Sequence, residues 1–321
     1  MIIRPMSPTD LEGLEEISHS FPSFQRKALQ FTGLVFVAED EGKLVGAIKG
    51  KTITTHAGSL GGILWLMVHP DHQNLRARSI TTPLMQKLLE VFEEEKTSWQ
   101  MACVDLANLP SSRGVQHFGF EPAGFTWTWK TFGLAWPKVA YEFWHVVDIG
   151  QVLWLKGKAE QREHGWPQWI LLFLLFTIPW WLMSGANPLT LGLASLMMIF
   201  KEVPQHFLGI LGKGNRSFHC FDSALLPNLL LALCGQWFPY FGVWLPLNKD
   251  RAQKRSQLAK VQFIGLALSL ALLLSLFFFG SLPFVEASRQ LLLSLPLYLF
   301  AELVLPIFPF KGSIGNRLGR G

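Results

Sequence analysis

The rhythm of apolar and polar positions changes near residue 166. Before that point apolar runs are short and separated by turn residues. Ile2–Pro5 reads as a strand, and the oxygens of Ser7, Thr9 and Asp10 can cap a helix with Leu11, Leu14 and Ile17 on one face. Gly33–Asp40 and Lys43–Ile48 are apolar runs joined by Glu41-Gly42, a hairpin signal. Gly62–Val68 is a third strand and ends in His69-Pro70-Asp71. Helical spacing follows over Ile80–Glu95, then a strand over Met101–Leu106, a short helix over Pro110–His117, and a last, aromatic-rich strand over Gly119–Phe132. This order predicts an α+β domain over residues 1–132, a mixed sheet with flanking helices.

Residues 133–165 read as an amphipathic connector. Trp136, Val139, Phe143, Val146, Val147, Val152, Leu153 and Leu155 precede Lys156-Gly157-Lys158, a pattern suited to a membrane surface, with packing between domains as the alternative. Trp169–Phe200 then runs for 32 residues without a charge, more than one span of about 20 needs. Gly185-Ala186-Asn187-Pro188 breaks the run into spans at about 168–184 and 187–200, and two more are expected at about 261–283 and 290–310. The segment 223–247 is apolar but carries Pro227, Pro239, Gly242 and Pro246, so it reads as broken or re-entrant. Residues 166–321 are therefore expected to form an all-α, multi-pass membrane domain.

Charge orients that expectation. Charged residues make up 16% of the 321, against about 25% in an ordinary soluble domain. Residues 1–165 hold 16 Lys+Arg and 18 Asp+Glu, whereas residues 166–321 hold 12 and 5. The basic excess thus belongs to the apolar half and marks topology rather than nucleic-acid binding. Lys201, Lys213 and Arg216 precede the broken segment, and Lys249, Arg251, Lys254, Arg255 and Lys260 follow it. The positive-inside rule then puts both flanks, the N-terminal domain and the C-terminus in the cytoplasm. Met1–Asp10 has no apolar core of a signal peptide. Cys103, Cys220 and Cys234 have no metal-ligand or CxxC spacing, and read as reduced thiols.

The pieces IIRPMSPTDLEGLEEI, FVAEDEGKLVGAI, LWLMVHPDHQNLRARSITTPLMQKLLE and NLPSSRGVQHFGFEP, in that order, resemble the GNAT N-acetyltransferase family over about residues 1–132. The resemblance implies acetyl-CoA, or another acyl-CoA, as acyl donor. In that family a splayed strand meets the pantetheine, and a loop of the form Arg/Gln-x-x-Gly-x-Gly/Ala wraps the pyrophosphate at a helix N-terminus. Here Leu66, Met67 and Val68 stand on the strand. Arg76-Ala77-Arg78-Ser79-Ile80-Thr81 stands on the loop, with Ser79 and Thr81 in place of small residues whose lack of a Cβ lets backbone approach phosphate. Asn108 and Val115–Phe120 resemble the family's next conserved region, with Val115 where many members place a tyrosine acid.

Acyl transfer needs an unprotonated amine and a polarised thioester carbonyl. The Val68 amide is the expected oxyanion donor, and Glu39, His69 and Asp105 are the candidate bases. The second half more faintly resembles the site-2 protease core, on Phe200–Gly209 and Leu305–Ser313, but Gln205, His206, Gly209 and Lys311 stand where the metal-binding and catalytic residues belong. Glu202, His206, His219 and Asp222 form no zinc motif, so no metal is expected. Glu302, expected inside a span, is a functional candidate by position. The leading expectation is a membrane-anchored N-acetyltransferase-like protein that acylates a small-molecule or protein amine at the bilayer. The alternatives are a non-catalytic sensor or scaffold with a membrane-protein partner and, third, an intramembrane metalloprotease.

Overall fold

The computed structural model describes residues 1–19, 26, 29–72, 77–105, 109–123, 125–143, 151–156, 165–211, 216–220, 224–238, 242–246 and 251–299. β1 (Ile2–Pro5) lies antiparallel to β2 (Leu34–Asp40), with α1 (Leu11–Ser18) between them in sequence, its Leu14 and Ile17 turned inward. Asp10 fixes this corner. Its Oδ2 accepts from the Ser7 amide at 2.7 Å and the Ser7 hydroxyl at 2.9 Å. Arg4 donates to both Asp10 oxygens at 2.7 and 2.8 Å, and to Glu39 Oε2 from Nε at 2.9 Å and Nη2 at 2.8 Å. β2 turns into β3 (Lys43–Thr55) through Glu41 and Gly42, at φ 51° and 79°. Such a two-residue turn matches the twist of the strands it joins.

β4 (Gly58–Val68) pairs antiparallel with β3, and α2 (Ala77–Glu94) carries the chain back to β5 (Trp99–Asp105), parallel to β4. α2 turns Ile80, Leu84, Leu88 and Phe92, spaced by four, onto the sheet. Two adjacent glycines admit aromatic rings from opposite sides. A Cβ on Gly61 would meet the Phe92 ring, and one on Gly62 would fall inside the Phe143 ring. α3 (Leu109–His117), β6 (Glu121–Pro122), α4 (Phe125–Phe132), α5 (Trp136–Phe143) and β7 (Gln151–Lys156) complete the domain, in sheet order β1-β2-β3-β4-β5-β7-β6.

Two expectations are corrected here. Gly119–Phe132 is not one long strand: after the two-residue β6 the chain becomes helical. Of its aromatics, Phe132 opens a stripe with Trp136, Val139 and Phe143, whose three-to-four spacing crosses α4 and α5 and is buried on the sheet. Nor is 133–165 a connector throughout. Val152, Trp154 and Leu155 are buried in β7, which pairs with β5 from Gln100↔Lys156 to Asp105↔Gln151. Of the apolar residues that suggested a bilayer surface, Trp136, Val139, Phe143, Val152, Leu153 and Leu155 instead cover and extend the sheet, which reaches Lys156, and Val146 and Val147 lie outside the described residues.

The helical region comprises α6 (Gly165–Ser184), α7 (Pro188–Leu211), α8 (Leu225–Leu233), α9 (Arg251–Phe279) and α10 (Leu282–Leu299). α9 packs on α7 and α10, and α6 on α8. Gly265 sits so close to the Phe200 carbonyl that a Cβ has no room, the small-residue contact that lets helix backbones touch. The all-α expectation is corrected by a two-stranded antiparallel sheet, β8 (Arg216–Cys220) with β9 (Gly242–Pro246). Within 223–247, expected as broken or re-entrant, the described residues hold α8 and β9. Among the described residues one helix, α6, is long and apolar enough to cross a membrane; the apolar parts of α7 and α9, Pro188–Lys201 and Phe263–Phe279, are shorter. α10 starts eight residues ahead of the expected span at 290–310, whose end, with Glu302 and Lys311, lies outside the described residues.

Candidate active site

One extra residue in β4 shapes the site. Lys49 of β3 faces Trp65, but the next residue, Gly50, faces Ile63, so Leu64 is a bulge. The β4–β5 ladder runs from Leu60↔Trp99 to Ile63↔Ala102 and ends at the residue before that bulge. From there β4 continues to Val68 beside β3, and β5 continues to Asp105 beside β7. A bulge bends and twists its strand. The two strands therefore part into a wedge open toward their C-terminal ends.

α2 begins nine residues after Val68, and as a crossover between parallel strands it runs antiparallel to them. Its N-terminus thus stands at the open end of the wedge, where its first N–H groups and helix dipole favour an anion. Among the residues expected there, Arg78 and Ser79 are exposed and Thr81 is half-buried. Ile80 is 3% exposed and belongs to the core, so its contribution to a ligand is backbone. On the strand, Leu66 and Val68 join the cluster on the α2 face, whereas Met67 joins Leu14 and Ile17 on the other. Arg76 and Asn108 lie outside the described residues, as does the side chain of Asp105, whose backbone pairs with Gln151.

Of the candidate bases, Glu39 lies away from the wedge, whereas His69 follows Val68 at the end of β4 and the Asp105 backbone ends β5. Glu39 and His69 line an 860 Å³ cleft with Arg4, Asp10, Glu16 and Asp71. Glu39 stands on β2, across β3 from β4, about 10 Å away by strand spacing, and its carboxylate accepts two hydrogen bonds from Arg4. His69 Nε2 is 3.8 Å from Glu16 Oε1, and its Nδ1 accepts from the Asp71 amide at 3.3 Å. The Arg4 guanidinium holds the Asp10 carboxyl well below the usual carboxylate range, and Asp10 and Glu39 in turn raise Arg4. Val115 is 7% exposed in the core, so the position that many family members give to a proton donor is apolar.

A second cavity, of 640 Å³, opens at the bulge on the face opposite α2, lined by Lys49, Lys51, Leu64, Trp65, Glu95 and Glu142, among others. Lys49 is 7% exposed, and its Nζ donates to the Gln30 carbonyl at 2.9 Å. Burial and then the charge of Lys51 lower its pKa. Lys51 is ion-paired with Glu142, and the Thr52 hydroxyl donates to Glu95 at 2.6 Å. Trp65 packs edge-on to Phe31 at 5.7 Å, and its buried Nε1 has no partner among the described residues. The sequence reading missed this cavity. The available signal was a lysine inside Val45–Gly50, a run in which every residue is buried.

Among the described residues no three His, Cys, Asp or Glu gather as a metal site. The side chains of Glu202, His206 and His219 lie outside those residues.

Residues 6–120 match the sequence model of the acetyltransferase (GNAT) family. No curated protein matches the chain. Similar solved structures include ribosomal-protein-alanine N-acetyltransferase from Brucella melitensis, at 17% identity and TM-score 0.34 over 49% of this chain and 100% of that one. The ribosomal-protein-S18-alanine N-acetyltransferase from Escherichia coli is similar at 15% and 0.33, over 51% and 98%. Naa50 from Arabidopsis thaliana, solved with a bisubstrate analogue, is similar at 15% and 0.33, over 49% and 98%. Likeness at this level says nothing about what this chain acts on. The family match, on the same stretch that carries the bulged β4 and the wedge, makes residues 6–120 of this chain a GNAT acetyltransferase domain.

Proposed function

We propose that this chain is a membrane-held N-acyltransferase that uses acetyl-CoA or another acyl-CoA as donor. The observation that carries the reading is the coincidence of the bulge at Leu64, the end of the β4–β5 ladder and the N-terminus of α2. An acyl-CoA laid in the wedge meets β4 backbone along its pantetheine, and its pyrophosphate reaches the first turn of α2, beside Arg78. The acceptor enters through the cavity on the opposite face, at Leu64 and Trp65. Its neutral amine attacks the thioester carbonyl carbon; the C–N bond forms, the C–S bond breaks, the amine loses a proton to a base or water, and the departing thiolate takes one from solvent. The Val68 amide is assigned to the developing oxyanion. The helical region holds this domain at a bilayer, with α6 as one span and the apolar parts of α7, α9 and α10 completing a multi-pass anchor. The sheet domain and the C-terminus are assigned to the cytoplasm.

Equilibrium titration of the detergent-purified full chain with acetyl-CoA tests the reading. Saturable binding is expected, weakened several-fold by Arg78→Ala, because a pyrophosphate contact from an exposed arginine is a charge-assisted bond partly screened by water. No saturable binding, or Arg78→Ala and Arg76→Ala both matching the parent, sinks it. A sensor or scaffold that docks a membrane-protein partner is the second reading, favoured by the buried Val115. Stoichiometric CoA-thiol release with an amine panel separates the two: binding without turnover favours the sensor.

A further inference from the structure

From the chemistry of the cavity at the β4 bulge we infer the class of acceptor: an amine that also carries an oxyanion, read by the Lys49 ammonium. The inference rests on the acyltransferase reading for the amine, and on the cavity alone for the oxyanion. Lys49 is a buried cation whose one hydrogen bond among the described residues is to a neutral carbonyl, that of Gln30. Its ammonium has three donors, and two of them have no partner among the described residues and can serve a ligand. A buried charge is ordinarily paired, and the other charged groups of the cavity do not pair it. Glu142 is held by Lys51, and Glu95 accepts from Thr52. Glu95 and Glu142 nevertheless balance Lys49 and Lys51 in number, so the cavity is not a general anion trap. Among the described residues it has one locally uncompensated cation.

Position gives that cation its meaning. Lys49 is the register partner of Trp65, which follows the bulge residue Leu64, and both Leu64 and Trp65 line the cavity. An acceptor whose oxyanion pairs with Lys49 is therefore held beside the place where β4 leaves β5, with its amine free to reach the thioester. A carboxylate and a phosphate monoester share this chemistry. An amine without an oxyanion leaves Lys49 with no charged partner in the cavity.

The experiment uses the full chain in detergent and two probes, β-alanine for the carboxylate and O-phosphoethanolamine for the phosphate, each beside a counterpart that keeps the amine and lacks the oxyanion, β-alaninamide and ethanolamine. Direct binding without acyl-CoA is read first. At least one oxyanion-bearing probe is expected to bind about tenfold or more tightly than its counterpart, and Lys49→Met to erase that preference, with partial recovery in Lys49→Arg. Which probe is preferred identifies the source of the oxyanion. In acetyl transfer, Lys49→Met is expected to raise KM about tenfold or more and leave kcat within a few-fold, the signature of lost ground-state binding. Equal binding of probes with and without the oxyanion overturns the inference, and so does a Lys49→Met variant that binds acetyl-CoA like the parent and keeps the preference for the oxyanion. A fall in kcat at constant KM overturns it too, since that makes Lys49 a proton carrier. If acetyl-CoA does not bind, the acyltransferase reading fails, while the direct-binding result still decides the oxyanion site.

Discussion

The sheet domain and the helical region are both rich in large apolar side chains, and they dispose of them in opposite ways. In residues 1–156 the described large apolar residues that stay exposed are few and scattered: Met1, Ile2, Leu11, Trp129 and Leu134. On α6 alone Ile170, Leu171, Leu174, Leu175, Ile178, Leu182 and Met183 are exposed, while Leu172, Phe173, Phe176 and Trp180 are buried. Phe278, Phe279 and Leu282 at the α9–α10 corner are exposed by 69%, 89% and 85%. A helix that is apolar on every side belongs in a core or in lipid, and exposed apolar surface of this extent suits a partner or a membrane. The lesson is that one hydrophobic composition can be buried in a sheet core or left on helix surfaces. The domain hides its apolar atoms from water, whereas the helical region offers a share of them to its surroundings.

The largest expected effect tests where the first of these regimes ends. Trp154 on β7 is 0% exposed and its Nε1 donates to the Val104 carbonyl at 3.3 Å. Trp154→Ala should destabilise the sheet domain by about 3–5 kcal/mol, as loss of a buried aromatic does. Leu174→Ala, on the exposed side of α6, should change the same denaturant midpoint by no more than about 0.5 kcal/mol. Equal effects would erase the distinction between a water-excluding core that reaches Lys156 and an outward apolar face.

The next effect reads the second regime directly. Leu174 is 44% exposed and lies at the middle of α6. In water Leu174→Arg is a mild surface change, but at the centre of a spanning helix an arginine costs about 2.5–3.5 kcal/mol of insertion. The variant should shift from the alkali-resistant membrane fraction to the extractable one, and Leu171→Arg should do likewise. Unchanged partitioning of both would place α6 outside the bilayer.

How much of this was legible in the sequence follows the same division. Strands β1 to β5 were readable because turn residues such as Glu41-Gly42 and Pro70-Asp71 separate them and each run has a single period. The aromatic stretch after Gly119 was misread because Trp and Phe favour strands by propensity, whereas the spacing Phe132, Trp136, Val139, Phe143 is helical and tertiary packing decides. β7 was hidden for another reason: its partners in β5 and β6 are distant in the chain, and four consecutive buried residues, Val152–Leu155, have no alternation to betray a strand. Of the site, the strand end and the helix start were legible as motifs. The bulge at Leu64 was not, since an extra residue shows only against the partner strand, and the Glu39 carboxylate was offered as a base because its bond to Arg4 is 35 residues long-range.

A smaller effect distinguishes the domain's charged corner from the sparsely charged bundle. Because Arg4 lowers the Asp10 pKa in the fold, Asp10 contributes stability above its ordinary value near about 3.9, and that contribution is lost as pH falls below it. Asp10→Asn should cost about 1–3 kcal/mol at neutral pH, toward the lower end because Arg4 is 34% exposed and screened by water. The gap to the parent should narrow below about pH 4, as the unfolded chain's carboxylate takes up a proton while the folded one stays ionised. A gap that is constant from pH 7 to pH 3 would remove the ion pair from the account and leave only the turn.

The smallest effect probes how polar groups join helices where apolar contact dominates. Thr190 on α7 is 0% exposed; its hydroxyl lies 2.7 Å from Gln290 Oε1 on α10 and 3.3 Å from Asn187 Oδ1. Thr190→Val keeps the shape and removes the donor. Among helices in lipid such a bond is worth about 0.6 kcal/mol on average, because the separated helices find other partners, whereas stranding a buried polar partner in a water-soluble core costs about 1–3 kcal/mol. A double-mutant cycle of Thr190→Val with Gln290→Leu, read as resistance to denaturing detergent, should therefore give a coupling below about 1 kcal/mol. A coupling of 2 kcal/mol or more, in the range of a water-soluble core, would mean that α7 and α10 pack like the sheet domain, and the contrast between the two regions would then stop at α6.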